Sequence, residues 1–147
     1  MSVETCLHRE MSRWAEMRKR SVEEELPVPE RLVLQEQRAQ ALMAAARRKR
    51  RPQRFLDQAL FSFRRACRKL NELFSTLEAL DEMGDKFEKI PPQQDLIEDQ
   101  RTIEALFEEC FSLLCDGDLE GGRKKTELIR KKVDEIDERY TARLLVA

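Results

Sequence analysis

The chain has 147 residues, a length that corresponds to one domain, with or without an arm, and that can bury a core. Charged residues make up 39% and apolar residues 41%, with only 4 glycines and 5 prolines, which excludes a disordered chain and an all-β fold. No apolar run approaches the ~20 residues of a membrane span, and no signal-peptide pattern opens the sequence. We therefore expect a soluble all-α protein of the cytoplasm or nucleus, with no membrane partner.

The charges are distributed unevenly along the chain. Residues 1–70 contain 17 Lys and Arg against 9 Asp and Glu, a net charge of +8, whereas residues 71–147 contain 11 against 20, a net charge of −9. This distribution predicts either an acidic or anionic partner for residues 1–70 or association of residues 1–70 with residues 71–147.

Two helices are predicted in the first third of the chain. The first covers about 3–25, and its thin apolar stripe is formed by Leu7, Met11, Trp14 and Met17. A partner's groove could accept the Trp14 and Met17 side of this stripe, and packing within the chain is the alternative. Pro27 and Pro29 then break the helix, and the second helix covers about 30–51.

The third predicted helix, 53–83, carries the clearest pattern of the sequence. Its apolar residues alternate steps of four and three, at Leu56, Leu60, Phe63, Cys67, Leu70, Phe74 and Leu77. Neighbouring apolar residues make the stripe wider than a two-stranded coiled coil needs, which favours the core of a helical bundle. Gly84 is the predicted end of this helix.

Two more amphipathic helices are predicted at about 93–114 and 123–145. Gln100 interrupts the apolar stripe of the fourth. Three long helices with short connections predict an antiparallel three-helix bundle over 53–147, preceded by a basic helical hairpin or arm over 1–52.

A run of cations joins the second and third helices. Between Arg47 and Lys69 there are ten Lys and Arg and a single acidic residue, Asp57. The predicted partner-binding cations are Arg47, Arg48, Lys49, Arg50, Arg51, Arg64, Arg65 and Arg68. They favour an acidic protein surface, nucleic acid or another polyanion, or a nuclear-import signal. We expect no aromatic residue among the cations on the exposed side.

A glycine-containing stretch separates the last two helices. Asp116, Asp118, Glu120 and Glu127 stand at positions one, three, five and twelve of a twelve-residue segment, with Gly121 at position six. This segment resembles the calcium-binding loop of the EF-hand family, and residues 81–85 are similar to a degenerate second loop. The resemblance implies that these four carboxylates bind calcium.

The same stretch departs from the EF-hand pattern. Arg123, Lys124 and Lys125 lie within the segment, and their positive charge opposes a bound dication. The alternative is a plain turn between two helices, in which Asp116 or Asp118 caps the second one.

The remaining reactive residues indicate no catalytic site. The chain has one histidine, His8, and no serine or cysteine with a base at a recognisable spacing. Cys6, Cys67, Cys110 and Cys115 include no CxxC pair, and Cys67 and Cys110 fall on apolar helix faces, as expected of reduced buried thiols.

These features predict a non-enzymatic helical adaptor or subunit that binds proteins within a larger assembly. One alternative is an EF-hand-like module, either calcium-binding or degenerate. The other is a binder of nucleic acid or another polyanion through residues Arg47 to Lys69.

Overall fold

A computed structural model describes residues 2–48 and 52–146. These residues contain five α-helices and no strand, which confirms the all-α prediction: α1 (Val3–Glu23), α2 (Glu30–Ala46), α3 (Gln53–Glu88), α4 (Ile97–Cys115) and α5 (Leu119–Val146). None of the helices in the described ranges has the length and apolar character needed to cross a membrane.

Local sequence explains where α1 and α2 begin and end. The Ser2 hydroxyl accepts a hydrogen bond from the Thr5 amide at 3.2 Å and so caps the start of α1. Glu25 follows the end of α1 with a φ of 53°. Prolines at 27 and 29 then keep the chain extended, and α2 starts directly after Pro29.

The long helix α3 continues past its predicted end. Gly84 lies inside α3, which extends to Glu88, so the predicted stop at this glycine is wrong. A single glycine is tolerated within a helix when packing on both sides favours the helix. The chain leaves α3 just before Pro91 and Pro92, which lack the amide hydrogens that a longer helix would need.

The chain divides into two compact units whose boundary lies inside α3, between Phe74 and Ser75. Unit 1 contains α1, α2 and the first part of α3. Its buried apolar residues are Leu7, Trp14, Leu32, Ala39, Ala46, Ala59, Leu60, Phe63, Ala66, Cys67, Leu70, Leu73 and Phe74. The predicted division into an arm over 1–52 and a bundle over 53–147 is not confirmed, because residues of α1 and α2 belong to this core.

Unit 2 contains the remainder of α3 together with α4 and α5. Its buried apolar residues are Leu77, Leu80, Met83, Ile90, Leu96, Ile103, Leu106, Cys110, Leu114, Ile129, Val133 and Ile136. The rings of Phe87 and Phe107 lie 6.0 Å apart. Gln100, which interrupts the apolar stripe of α4, accepts a hydrogen bond from the Gln93 amide and donates one to the Pro91 carbonyl.

Ion pairs join the helices of unit 2. Lys86 on α3 contacts Asp134 on α5 at 2.6 Å, and Lys125 on α5 contacts Glu109 on α4 at 2.9 Å. Two further pairs join α5 to α4 and to the segment before it, Arg139 with Asp99 and Arg143 with Asp95.

We predict that the apolar stripe of α3 stabilises the fold. Leu70 is 0% and Phe74 1% exposed, so Leu70→Ala and Phe74→Ala should each lower the free energy of unfolding by about 2–5 kcal/mol. Phe61→Ala is the control, because Phe61 is 66% exposed and its loss should change stability by less than about 0.5 kcal/mol. Urea unfolding followed by circular dichroism measures both, and unchanged midpoints for Leu70→Ala and Phe74→Ala would contradict the prediction.

Replacing either of two helical glycines, Gly84 or Gly122, with alanine should change the stability of the fold, but in opposite directions. A Cβ at Gly122 would overlap the side chain of Leu114, lying 2.8 Å from its Cγ, and Leu114 is fully buried. Gly122→Ala should therefore cost about 1–3 kcal/mol through overpacking. A Cβ at Gly84 meets nothing within 4 Å, so Gly84→Ala should stabilise α3 by about 0.5–1 kcal/mol. Thermal unfolding of the two variants tests the pair, and equal shifts of the same sign would show that α4 and α5 pack less closely at Gly122.

Candidate functional site

Unit 1 carries a groove between α2 and α3, with a volume of about 380 Å³. The two helices run in opposite directions here, and the Ser62 hydroxyl on α3 donates a hydrogen bond to the Gln35 carbonyl on α2 at 3.0 Å. The groove is lined by Gln35, Arg38, Leu42, Asp57, Gln58, Phe61, Ser62 and Arg65. We call it the α2–α3 groove.

Exposed apolar side chains mark this face of unit 1. Phe61 in the groove is 66% exposed, and Leu34 on α2 is 55% exposed. Leu60 and Phe63 point into the core, and the 100° step between helical residues turns Phe61 away from it. The expectation that no aromatic residue lies among the exposed cations is wrong, since Arg38 and Arg65 line the same groove as Phe61.

Arg38 and Arg65 line the α2–α3 groove, and Arg31, Arg68 and Lys69 cluster with Arg65; we call these five residues the groove cations. None of the five forms an ion pair within the described ranges. Burial lowers the pKa of Lys69, and the positive charges of Arg65, Arg31 and Arg68 lower it further, although Glu72 acts in the opposite direction. These three arginines therefore lie close enough to Lys69 to repel its charge, and a bound anion would relieve that repulsion.

Other predicted partner-binding cations lie away from the groove. Arg64 extends from a different side of α3 and lies 4.0 Å from a carboxylate oxygen of Glu10. Arg47 and Arg48 are exposed at the end of α2, whereas Lys49, Arg50 and Arg51 lie outside the described residues. Within the described part of the run from Arg47 to Lys69, Arg64 lies on a different side of α3, and Arg65, Arg68 and Lys69 belong to the groove cations.

Arg47 lines a second cavity of about 510 Å³ at the end of unit 1. Its walls include the apolar side chains of Leu7, Met11, Met43 and Leu56, and His8 stands among them. Glu4 lines the same cavity one helical turn before His8, and the described lining residues include no serine, threonine or cysteine nucleophile.

The apolar stripe of α1 packs within the chain. Trp14 is 6% exposed and Met17 is half-buried, so the structure places the predicted partner-binding Trp14 in the core of unit 1. Glu10 shares this buried face, with one carboxylate oxygen that accepts no hydrogen bond and lies 3.8 Å from Arg13. Leu7, Glu10 and Trp14 are separated by three and four residues. This spacing alone indicates that Glu10 lies on the buried face of α1.

The segment 116–127 forms a short turn followed by a helix. The Asp118 carboxylate accepts a hydrogen bond from the Gly121 amide at 2.9 Å and so caps α5, which begins at Leu119 instead of the predicted 123. Gly117 has a φ of 87°, which glycine adopts without strain. The turn therefore comprises 116–118, and the rest of the EF-hand-like segment is helical.

The four predicted calcium ligands are not brought together. Glu120 pairs with Lys124 at 3.4 Å, and Glu127 pairs with Arg130 at 2.8 Å along α5. Asp116 and Asp118 remain in the turn before the helix. No group of three or more His, Cys, Asp and Glu residues in the described ranges could hold a metal ion. Calcium binding at this segment stays a prediction, without a coordinating cluster to support it.

The four cysteines are free thiols, two of them in the core. Burial raises the pKa of Cys67 to about 12, and the nearby Glu10 charge adds to this. Burial also raises the pKa of Cys110, whose Sγ lies 3.3 Å from the Gly122 carbonyl. Cys67 and Cys110 are therefore protonated at neutral pH and are unsuited to nucleophilic catalysis.

The raised pKa of Cys67 predicts a loss of stability at alkaline pH. In the unfolded chain this thiol ionises near its ordinary pKa of 9.0, whereas in the folded chain it stays neutral to about 12. The unfolded state therefore releases a proton first, and the free energy of unfolding should decline by up to about 1.4 kcal/mol per pH unit between these values. Urea unfolding from pH 8 upward should show a shallower decline for Cys67→Ala, and identical slopes would contradict the prediction.

Comparison with protein-family models, with curated proteins and with solved structures finds no match for this chain.

Proposed function

We propose that this protein is a non-enzymatic interaction module that binds an acidic amphipathic helix of a partner protein in the α2–α3 groove. One observation carries the proposal: the exposed ring of Phe61 shares the α2–α3 groove with Arg38 and Arg65, and neither arginine forms an ion pair in the described ranges. Such a module would act as an adaptor or subunit of a larger assembly.

The groove offers the two kinds of contact that a bound helix needs. Phe61 and the half-buried Leu42 form an apolar floor on which side chains spaced three or four residues apart on a partner helix can pack. Arg38 on α2 and Arg65 on α3 flank this floor. Their guanidinium groups can each form two parallel hydrogen bonds to a carboxylate, which favours glutamate and aspartate on the partner.

Asp57, the acidic residue in the groove, favours an amphipathic helix over a polyphosphate as the ligand. Asp57 lines the groove and accepts a hydrogen bond from Gln53 at 3.1 Å. A polyphosphate passing along the whole groove would meet this carboxylate and the apolar Leu42, which favours a ligand with both apolar and acidic side chains.

Free thiols support a cytoplasmic or nuclear location as part of this proposal, because reducing compartments keep cysteines unpaired. The sequence from Arg47 to Arg51 is similar in composition to a nuclear-import signal, which would place the interaction in the nucleus.

Single-stranded nucleic acid is the second candidate ligand. The exposed ring of Phe61 beside Arg38 and Arg65 is the combination on which bases stack while cations contact phosphates. The α2–α3 groove would then contact few bases, since Phe61 is the one aromatic residue among its lining side chains.

Charge reversal in the groove tests the first proposal. The probe is a labelled amphipathic helical peptide with leucines on one face and glutamates on the other, and a peptide with lysines in place of the glutamates is its matched control. We expect the protein to bind the acidic peptide, and Arg38→Glu with Arg65→Glu to weaken binding by at least about tenfold in fluorescence anisotropy. Arg9→Glu with Arg18→Glu changes the net charge equally on the exposed side of α1 and should bind as the native chain does.

The outcomes separate the candidates. Emission of Trp14, the single tryptophan, reports whether unit 1 of each variant is folded. Equal binding of acidic and basic peptides, or no effect of the groove variant, would contradict the proposal. Tight binding of a single-stranded oligonucleotide that falls steeply with salt and is lost in Phe61→Ala would favour the second candidate.

A further inference from the structure

The outward face of α4 in unit 2 combines acidic and apolar side chains. Ile97, Arg101, Glu104, Glu108 and Phe111 recur in steps of four and three, so they share one face of the helix. Phe111 is 50% and Ile97 38% exposed. We call these five residues the α4 face.

The two acids of the α4 face, Glu104 and Glu108, differ from other acids of unit 2 in lacking an ion pair among the described residues. Asp95, Asp99 and Glu109 each contact an arginine or lysine of α5. Glu104 and Glu108 form no ion pair in the described ranges. Their charges are therefore available to a cation from another molecule.

The two units carry opposite net charges of similar size. Residues 1–74 contain 17 Lys and Arg against 10 Asp and Glu, a net charge of +7, and residues 75–147 contain 11 against 19, a net charge of −8. The groove cations belong to the first set and the α4 face to the second. Two copies of the chain are thus attracted when unit 1 of one approaches unit 2 of the other.

We propose that the α4 face of a second copy of this chain occupies the α2–α3 groove. The inference rests on the proposed function, and it names the partner that supplies the acidic amphipathic helix. It also specifies how residues 1–70 of one copy associate with residues 71–147 of another, as the charge asymmetry predicts.

The spacing of side chains on the two surfaces agrees with this pairing. Glu104 and Phe111 are seven residues apart on α4, and Phe61 and Arg68 are seven residues apart on α3, about 10 Å in each helix. An α4 that lies antiparallel to α3 of the other copy would place Phe111 against Phe61 and Glu104 against Arg68. Glu108, one turn from Phe111, would then lie opposite Arg65, which is one turn from Phe61.

This contact is head-to-tail, because each copy offers a groove at one surface and a helix face at another. A heterologous contact of this kind closes into a ring or extends into a chain of subunits. The association should weaken with salt, because exposed charges contribute much of the attraction.

The experiment uses two full-length variants, each of which removes one side of the contact. Arg65→Gln with Arg68→Gln removes the groove side, and Glu104→Gln with Glu108→Gln removes the α4 side. The native chain should associate at about 0.05 M salt and dissociate towards monomer at about 0.5 M, measured by sedimentation velocity. Each variant alone should remain a monomer at low salt.

Mixing the two variants gives the decisive measurement. The first retains its α4 face and the second retains its groove, so together they should form a discrete 1:1 dimer that cannot extend. Glu135→Arg with Glu138→Arg reverses two exposed charges on α5 and should associate as the native chain does. Trp14 emission and circular dichroism confirm that each variant is folded.

Two results would overturn the inference: a native chain that is monomeric at low salt, or variants that stay monomeric when mixed. If the native chain nevertheless binds the acidic peptide and Arg38→Glu with Arg65→Glu abolishes that binding, the proposed function stands and the partner is a different protein. If the peptide does not bind either, both proposals fail.

Discussion

Burial of one face of α3 determines much of the structure. The helix has 36 residues, and apolar side chains from Ala59 to Met83 are buried along it. A stripe of this length needs partners on both sides of the unit boundary at residue 74, and α1 and α2 supply them in unit 1 while α4 and α5 supply them in unit 2. The same constraint fixes which side chains face solvent. With Leu60 and Phe63 in the core, the rotation of the helix leaves Phe61, Arg65 and Arg68 on the outside.

The regular spacing of apolar residues predicted the core of α3. The unit boundary and the burial of α1 depend on tertiary packing and could not be predicted from that spacing. The steps of four and three correctly marked Phe63, Leu70 and Phe74 as buried. The unit boundary could not be located in this way, because the apolar pattern of α3 is continuous through residue 74. Likewise, the thin stripe of α1 is compatible with an exposed arm, and only the structure shows that Trp14 is buried in unit 1.

The α2–α3 groove was only partly predictable. The sequence indicated the cations Arg65 and Arg68, because they are close together in the chain. Arg31 and Arg38 precede them by about thirty residues, and their role depends on the antiparallel packing of α2 on α3. Phe61 lies out of phase with the apolar stripe of α3, and an apolar residue outside such a stripe is itself a sequence signal of exposure.

The segment after α4 shows how local geometry competes with a ligand pattern. The EF-hand pattern specifies the positions of carboxylates along the chain. These carboxylates coordinate an ion only when the backbone winds around it. Here the Asp118 cap starts a helix at Leu119, and the absence of a side chain at Gly122 lets Leu114 pack closely against it. Helical geometry then directs Glu120 and Glu127 along α5 towards Lys124 and Arg130 instead of towards a common centre.

The contrast between the two units gives the physical reason for assigning function to the groove. An exposed ion pair contributes only about 0–1 kcal/mol, so the stability of unit 2 depends little on pairs such as Lys86 with Asp134. By the same reasoning, replacing the groove cations with neutral residues would change the stability of unit 1 only slightly. Folding alone therefore does not account for Arg38 and Arg65 beside the exposed ring of Phe61. Under the proposed function, a bound surface of opposite charge accounts for both features at once, because its acids neutralise the arginines while its apolar side chains cover the ring.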